Sequence, residues 1–317
     1  MSAKQPEIVA AYAHCRAIAK REAKNFYYAF RVLPQHKSDA MCAVYAFMRK
    51  ADDLADDESL SLDARREAMA GWTAQWRASR SSATDDLVFR ALKDTQQRFG
   101  IPDDLLEQLV AGTTLDLNPQ PEGVLHVTVQ DAANRTRDMQ IYESFAALHH
   151  YCYLVAAVVG LVCIRIFGYE DRRAEQLAVD TGVAFQLTNI LRDVREDAER
   201  GRIYISADLL SEHHVEPAHL LAVTEGATVT EADLALLGGL EKHAQTLYRS
   251  ADELIPLLDK DSRAAMRVLV RIYRGLLDRI ASDPSAVFRE RVSVPTSQKL
   301  AILGVGLLES AKARLFA

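Results

Sequence analysis

Two short acidic runs hold the residues most able to do chemistry. The first is Asp52-Asp53-Leu54-Ala55-Asp56-Asp57, the second Asp193-Val194-Arg195-Glu196-Asp197. Each contains two aspartates four residues apart, Asp52 with Asp56 and Asp193 with Asp197, within a strongly helical pattern. On a helix, positions i and i+4 share a face, so each run can aim two carboxylates at one point. Carboxylates gathered this closely repel one another unless a cation lies between them. Two such helices face to face would hold a divalent metal, and a metal held that way usually holds phosphate. Asp53 and Asp57 form the weaker pair. Asp57 reads as the start of a solvated Asp57-Glu58 loop, and Glu196 as a surface charge.

An acidic i,i+4 pair alone is usually a solvated helix face; the residues before these pairs argue for more. Tyr45 and Arg49 precede Asp52 by seven and three residues and share its face. Gln186 and Asn189 precede Asp193 by seven and four. Gln186, Asn189, Asp193 and Asp197 therefore draw a polar stripe along a helix otherwise built from Val183, Ala184, Leu187 and Ile190. Polar groups in such a setting need partners, and metal, diphosphate and water would serve. The pairs His149-His150 and His213-His214 do not suggest a metal site: adjacent histidines point to different sides of a helix, with no other ligands at suitable spacing. Gly304-Val305-Gly306 lacks the rest of a dinucleotide fingerprint.

The elements that must position these groups read as helices. The 317 residues are 49% hydrophobic with only 14 Gly and 9 Pro, rich in Ala, Leu, Arg and Glu, which favours an all-α fold with a sizeable core. A net charge of −6 argues against a general nucleic-acid binder. Helical patterns cover 9–19, 38–57, 62–80, 85–99, 103–117, 142–167, 172–200, 207–212, 217–223, 230–258, 261–282 and 297–315. Residues 25–33 read as a short helix or an extended entry segment, and 203–206 as a turn or short extended piece. Residues 118–137, with Pro119, Pro121 and Gly123 and then the alternation of Val124, His126 and Thr128, break the pattern. They read as a long loop, with room for a short hairpin, that could act as a lid or partner surface. The whole chain, 1–317, is expected to form a single helical bundle around a central apolar cavity. Cys15, Cys42, Cys152 and Cys163 lie in apolar stretches without CxxC spacing and read as reduced core residues. The first 20 residues show no signal-peptide pattern, and the apolar run 151–167 is short for a membrane span and reads as a buried helix.

Four motifs together resemble the squalene/phytoene synthase family. Tyr45-Ala46-Phe47-Met48-Arg49-Lys50-Ala51-Asp52-Asp53, followed by Asp56, is similar to its first aspartate motif. Gln186-Leu187-Thr188-Asn189-Ile190-Leu191-Arg192-Asp193 through Asp197, then Gly201-Arg202-Ile203-Tyr204, is similar to its second. Tyr151-Cys152-Tyr153-Leu154-Val155-Ala156 with Gly160 resembles a third segment, and Asn25-Phe26-Tyr27-Tyr28-Ala29-Phe30 with Leu33-Pro34 an N-terminal one. The resemblance implies the all-α isoprenoid synthase fold and a Mg²⁺-dependent head-to-head (1′–1) condensation of two prenyl diphosphates through a cyclopropylcarbinyl diphosphate. It implies metal binding by Asp52, Asp56, Asn189, Asp193 and Asp197, with Mn²⁺ as an alternative ion, and a catalytic part for those aspartates and Tyr151. Diphosphate would be held by Asn25, Tyr45, Arg49, Gln186, Arg192, Arg202, Tyr273 and Arg291. The prenyl chains would lie against Phe26, Val155, Ala156, Gly160 and Leu161. The resemblance is nearest to bacterial presqualene-type members, so two farnesyl diphosphates going to presqualene diphosphate or squalene are expected, with geranylgeranyl diphosphate and a phytoene product as the alternative. NADPH would enter only on the route to squalene, and no motif indicates it. A fold relative that has lost catalysis and serves as a lipid-binding or assembly subunit is the rival of another class; the intact aspartate pairs speak against it. The reduced cysteines imply a cytoplasmic location and the lipid substrates a peripheral membrane contact; the last helix is amphipathic enough to lie on a membrane surface and could equally cap the bundle. Monomer and dimer both remain open. One departure stands out: Ser206 replaces the proline usual after the second motif, which would leave that loop less rigid.

Overall fold

The computed structural model describes residues 4–118, 120–131 and 133–315. Helices α1 (Lys4–Glu22), α2 (Lys24–Phe30), α3 (Gln35–Ala55), α4 (Leu62–Ser79), α5 (Leu87–Phe99) and α6 (Asp103–Thr114) come first. A hairpin of β1 (Val124–Gln130) and β2 (Thr136–Tyr142) follows, then α7 (Phe145–Cys152) and α8 (Val158–Phe167), joined by a π-helical turn over Tyr153–Ala157. The remainder is α9 (Arg173–Glu199), the two-residue β3 (Arg202–Ile203), α10 (Ala207–Glu212), α11 (Pro217–Thr224), α12 (Glu231–Leu254), α13 (Arg263–Ser282) and α14 (Thr296–Leu315). Short 3₁₀ turns lie at 115–117, 255–257 and 284–288.

The helix boundaries follow from local chemistry. Asp86 caps α5 by accepting from the backbone N–H groups of Val88 and Phe89 at 2.8 and 3.1 Å, and Gly100 ends that helix in the left-handed region at φ 58°. Thr230 and Asp233 form a reciprocal capping box at the start of α12. Residues 25–30, open between helix and extended chain in the sequence, are helical.

The hairpin for which the sequence left room within 118–137 forms and reaches further, to Tyr142, so the following helix starts at Phe145 and not at Tyr142. Its strands pair antiparallel from Val124↔Tyr142 to Gln130↔Thr136, and β3 pairs parallel with β2 through Gln140↔Arg202 and Ile141↔Ile203. The turn is organised by Asp131, whose buried carboxylate accepts from the backbone N–H groups of Ala133 and Arg135 and from Arg135 Nε.

One contiguous apolar core runs from Ala11 in α1 to Leu303 in α14. Around it, α1 and α5 back α3, α12 lies along α9, α6 backs α8 and the π turn, and α14 packs on α13 and α2. The continuous helix Phe145–Phe167 is, by length and composition, apolar enough to cross a bilayer. In the fold it packs against α6 and α9 as a core helix.

Candidate active site

One cavity of about 500 Å³ is walled by α2, α3, the π turn with α8, α9 and α13. Helix α3 lends it Met41, Val44, Tyr45, Met48, Arg49 and Asp52, a single stripe at three- and four-residue spacing. Helix α9 lends Ala178, Thr181, Gly182, Phe185, Gln186, Asn189 and Arg192 in the same way. The two stripes are apolar at one end and polar at the other. Lys37 and Asp52 lie fifteen residues apart on α3, which at 1.5 Å per residue separates the two ends by about 22 Å. At the apolar end the wall is Met41, Ile164, Phe167, Ala178, Leu254 and Met266; at the polar end it is Asn25, Arg49, Asp52, Gln186, Asn189, Arg192 and Arg291.

At the polar end Asp193 is held between two guanidinium groups. Arg192 donates to it through Nε at 2.8 Å and through a second, shorter bond, and Arg291 Nε lies 3.1 Å away. Arg291 also reaches Glu196 at 3.2 Å, so Glu196, half-exposed as a surface charge, is the outer member of this network. Asp197, one turn beyond Asp193, is pushed up to about 7 by burial and by the neighbouring Asp193 carboxylate, with Arg202 and Arg200 pulling the other way. Asn189 Nδ2 donates to Gln186 Oε1 at 3.2 Å, while Asn189 Oδ1 and Asn25 Oδ1 are buried with no hydrogen-bond partner among the described residues. On α3, Arg49 pairs with Asp53, and Asp56 closes the helix by its backbone N–H to Asp52 O at 2.8 Å. Asp57 accepts from the backbone and hydroxyl of Ser59 and does begin a solvated turn.

Burial shapes the tyrosines. The Tyr45 hydroxyl is pushed up to about 12 by desolvation, against the pull of Arg49. Tyr273 is 3% exposed, stacked on Phe185 at 4.3 Å and tilted against Phe26 at 5.9 Å, and desolvation raises its hydroxyl while Arg192 and Asn189 lower it. Tyr151 does not line the cavity. It stacks on Tyr204 at 5.0 Å and leans on Tyr142 at 5.3 Å, in a cluster assembled by the hairpin. Arg202 enters the same region from β3, after Gly201 turns the chain out of α9 at φ 78°. Pairing with β2 holds 202–203, and Ser206 is fully buried with its hydroxyl on Asp208.

The apolar wall on α8 is Val159, Gly160, Cys163, Ile164 and Phe167, with Val155 and Ala156 from the π turn. Leu161 does not belong to it: one residue past Gly160 it is rotated about 100° round the helix, toward the core behind. Phe30, Phe185, Phe167 and Met266 were missed in the sequence. Extending the stripes back from Asp52 and Asn189 finds Met41, Val44 and Phe185, but α13 and Leu254 approach only through the tertiary fold. Burial pushes the Cys163 thiol up to about 12, so it stays neutral in the wall.

These residues suit a metal–diphosphate site. Asn189 offers an unpartnered carbonyl oxygen on the same helix face as Asp193, and the Asp193 carboxylate helps raise Asp197. Among the described residues no three His, Cys, Asp or Glu side chains converge into a ready-made cage.

The comparisons with known proteins agree with this construction. Residues 19–298 match the family described as Squalene/phytoene synthase. The phytoene synthase of Mycobacterium bovis is 31% identical over 313 residues, spanning 96% of this chain and 93% of its own. That of Arthrospira platensis is 31% identical over 312 residues, spanning 94% and 93%. Among solved structures, a ligand complex of a dehydrosqualene synthase superposes with a TM-score of 0.77 at 28% identity, covering 95% of this chain and 96% of that one. A bundle of this isoprenoid synthase fold puts Asp52, Arg49, Arg192 and Arg291 at one end of an apolar cavity, with Asp193 and Asp197 further along α9, and the chain belongs to the squalene/phytoene synthase family of head-to-head prenyltransferases.

Proposed function

We propose that the enzyme joins two geranylgeranyl diphosphates head to head to a phytoene-type product. The reading rests on the phytoene synthases that match at 31% identity across nearly the whole chain. It displaces the farnesyl substrate and presqualene or squalene product expected from the sequence. Asp52 on α3 with Asp56 just past its end, and Asp193, Asp197 and Asn189 on α9, would hold Mg²⁺, which when bound supplies Lewis acidity against the charge of the leaving diphosphate. Arg49, Arg192 and Arg291 donate charge-assisted hydrogen bonds to phosphate oxygens once drawn from their carboxylate partners. The faces of Phe26, Phe185 and Tyr273 stabilise positive charge on the chain, and the closed apolar wall keeps water from it. Gly160 and Gly182 let α8, the π turn and α9 pack closely, a Cβ at Gly160 standing 3.0 Å from Ala178 O and one at Gly182 2.7 Å from Ala157 Cα, while Ala156 keeps the wall there small.

Incubation with geranylgeranyl or farnesyl diphosphate, Mg²⁺, and NADPH added or withheld, followed by lipid analysis, tests this. Turnover of the longer substrate with a product indifferent to NADPH is expected. Product from farnesyl diphosphate alone would overturn it in favour of the second reading, a thirty-carbon product, which the dehydrosqualene synthase match supports. No turnover of either would favour the non-catalytic rival.

A further inference from the structure

Helix α14 has an apolar outer face. Leu300, Val305, Leu307 and Leu308 are 52%, 44%, 41% and 66% exposed, half of the large exposed hydrophobic side chains among the described residues. Between them lie Ala301 and Gly304, also exposed. The acid in this stretch, Glu309, is turned away to Arg267 and Arg271 on α13, at 3.3 and 3.2 Å. The helix cannot roll to hide that face. A Cβ at Gly306 would stand 2.3 Å from Val268 Cγ2, so the seam with α13 is already closed. An exposed apolar strip this concentrated marks an interaction surface.

Its border says what it meets. Arg267 and Arg271 flank the C-terminal half of α14, and Arg279, bonded to Gln298 at 3.3 Å, flanks its start. Three arginines thus run beside the apolar face of a chain whose overall charge is −6. An apolar helix face with a basic margin suits the surface of a bilayer containing anionic lipid, where the leucines enter the acyl boundary and the guanidinium groups meet headgroup phosphates. The position fits as well. Helix α14 packs on α13 and α2, and those two helices wall the prenyl cavity with Leu269 and Tyr273 and with Phe26 and Ala29. We propose that α14 with the arginine edge of α13 docks the enzyme on an anionic membrane, one helix layer from the cavity. The proposal does not depend on which prenyl chain is used.

Vesicle flotation of the full chain tests it, with phosphatidylcholine alone and with phosphatidylcholine–phosphatidylglycerol mixtures. Binding to the anionic vesicles that weakens with salt is expected. Leu300→Gln with Leu308→Gln should lower that binding about tenfold or more, and Arg271→Gln or Arg279→Gln about fivefold each. Melting temperature and turnover of detergent-dispersed substrate should stay unchanged in all of them. Absence of wild-type binding, or equal binding by the double leucine variant, would overturn the proposal. So would a dimer in solution that the leucine variant splits while vesicle binding is absent, since the face would then belong to a second copy.

Discussion

At Asp193 and Asp197 two carboxylates one helical turn apart meet different fates. Asp193 is neutralised by Arg192 and Arg291, whereas Asp197 is buried beside it and pushed up to about 7. A raised carboxylate binds its proton in the folded chain at a pH where the unfolded chain has lost it. Without metal, Asp197 therefore favours the folded state below the ordinary carboxylate range, near 4, and that contribution is lost as pH rises through about 7. A divalent cation needs the ionised form. Its affinity should fall up to about tenfold per unit as pH drops below 7, and Mg²⁺ should raise the melting temperature more at pH 8 than at pH 5.5. Equal stabilisation at both would remove Asp197 from the metal site. Substituting Asp52→Asn or Asp193→Asn should abolish turnover with helicity by circular dichroism intact; near-normal activity would refute their metal role. The polar stripes were legible because a buried helix face rarely carries Gln, Asn and Asp in sequence. The network of Glu196 with Arg291 was not, since it joins residues 95 positions apart that meet only through the 3₁₀ turn after α13.

The π turn shows an element shaped by its neighbours. Two glycines grip it. A Cβ at Gly112 on α6 would come 2.7 Å from Leu154 O, and one at Gly182 on α9 would come 2.7 Å from Ala157 Cα and 2.8 Å from Ala156 O. Backbone presses on backbone from both sides, and Val155 and Ala156 are thereby held in the cavity wall. Gly182→Ala should push the turn into the cavity, destabilise the fold by about 1–3 kcal/mol, and lower kcat/KM beyond what the stability loss explains. A change in melting temperature with unchanged kinetics would make the glycine structural only. The helices themselves were readable from periodicity, to within a few residues at most ends. The wide turn was not, because Tyr142 to Phe167 reads as one unbroken apolar run. The true boundary depends on β2 taking Tyr142 into the sheet, where it meets Tyr151 and Tyr204. Pairing between β2 and β3 across sixty residues leaves no local periodic signal.

Across the whole molecule, the end of the cavity opposite the aspartates is tied by one side chain. Lys37 is 5% exposed, and its ammonium reaches Phe167 O at 2.8 Å, Asp261 at 2.7 Å, Asp259 at 3.0 Å and Ser262 Oγ at 3.0 Å. It thus fastens the start of α3, the end of α8 and the turn before α13, just where Phe167, Leu254 and Met266 close the wall. Breaking a fully buried ion pair costs about 3–5 kcal/mol, but here the acids are 51% and 36% exposed at the side chain and can rehydrate. Phe167 O also keeps the Ser262 hydroxyl at 2.7 Å. Lys37→Met should therefore lower equilibrium stability by only about 1–3 kcal/mol, measured by urea titration. Its larger effect should be on chain length, because the floor loses its tie while the polar end, about 22 Å away, is untouched. Met266→Ala deepens the same floor without touching the knot. If the floor sets product length, both variants should accept longer prenyl diphosphates than the parent and leave the Mg²⁺ dependence alone. A shift with Met266→Ala but none with Lys37→Met would place the control in side-chain volume and not in how firmly the helices are fastened; no shift with either would move it elsewhere along the wall.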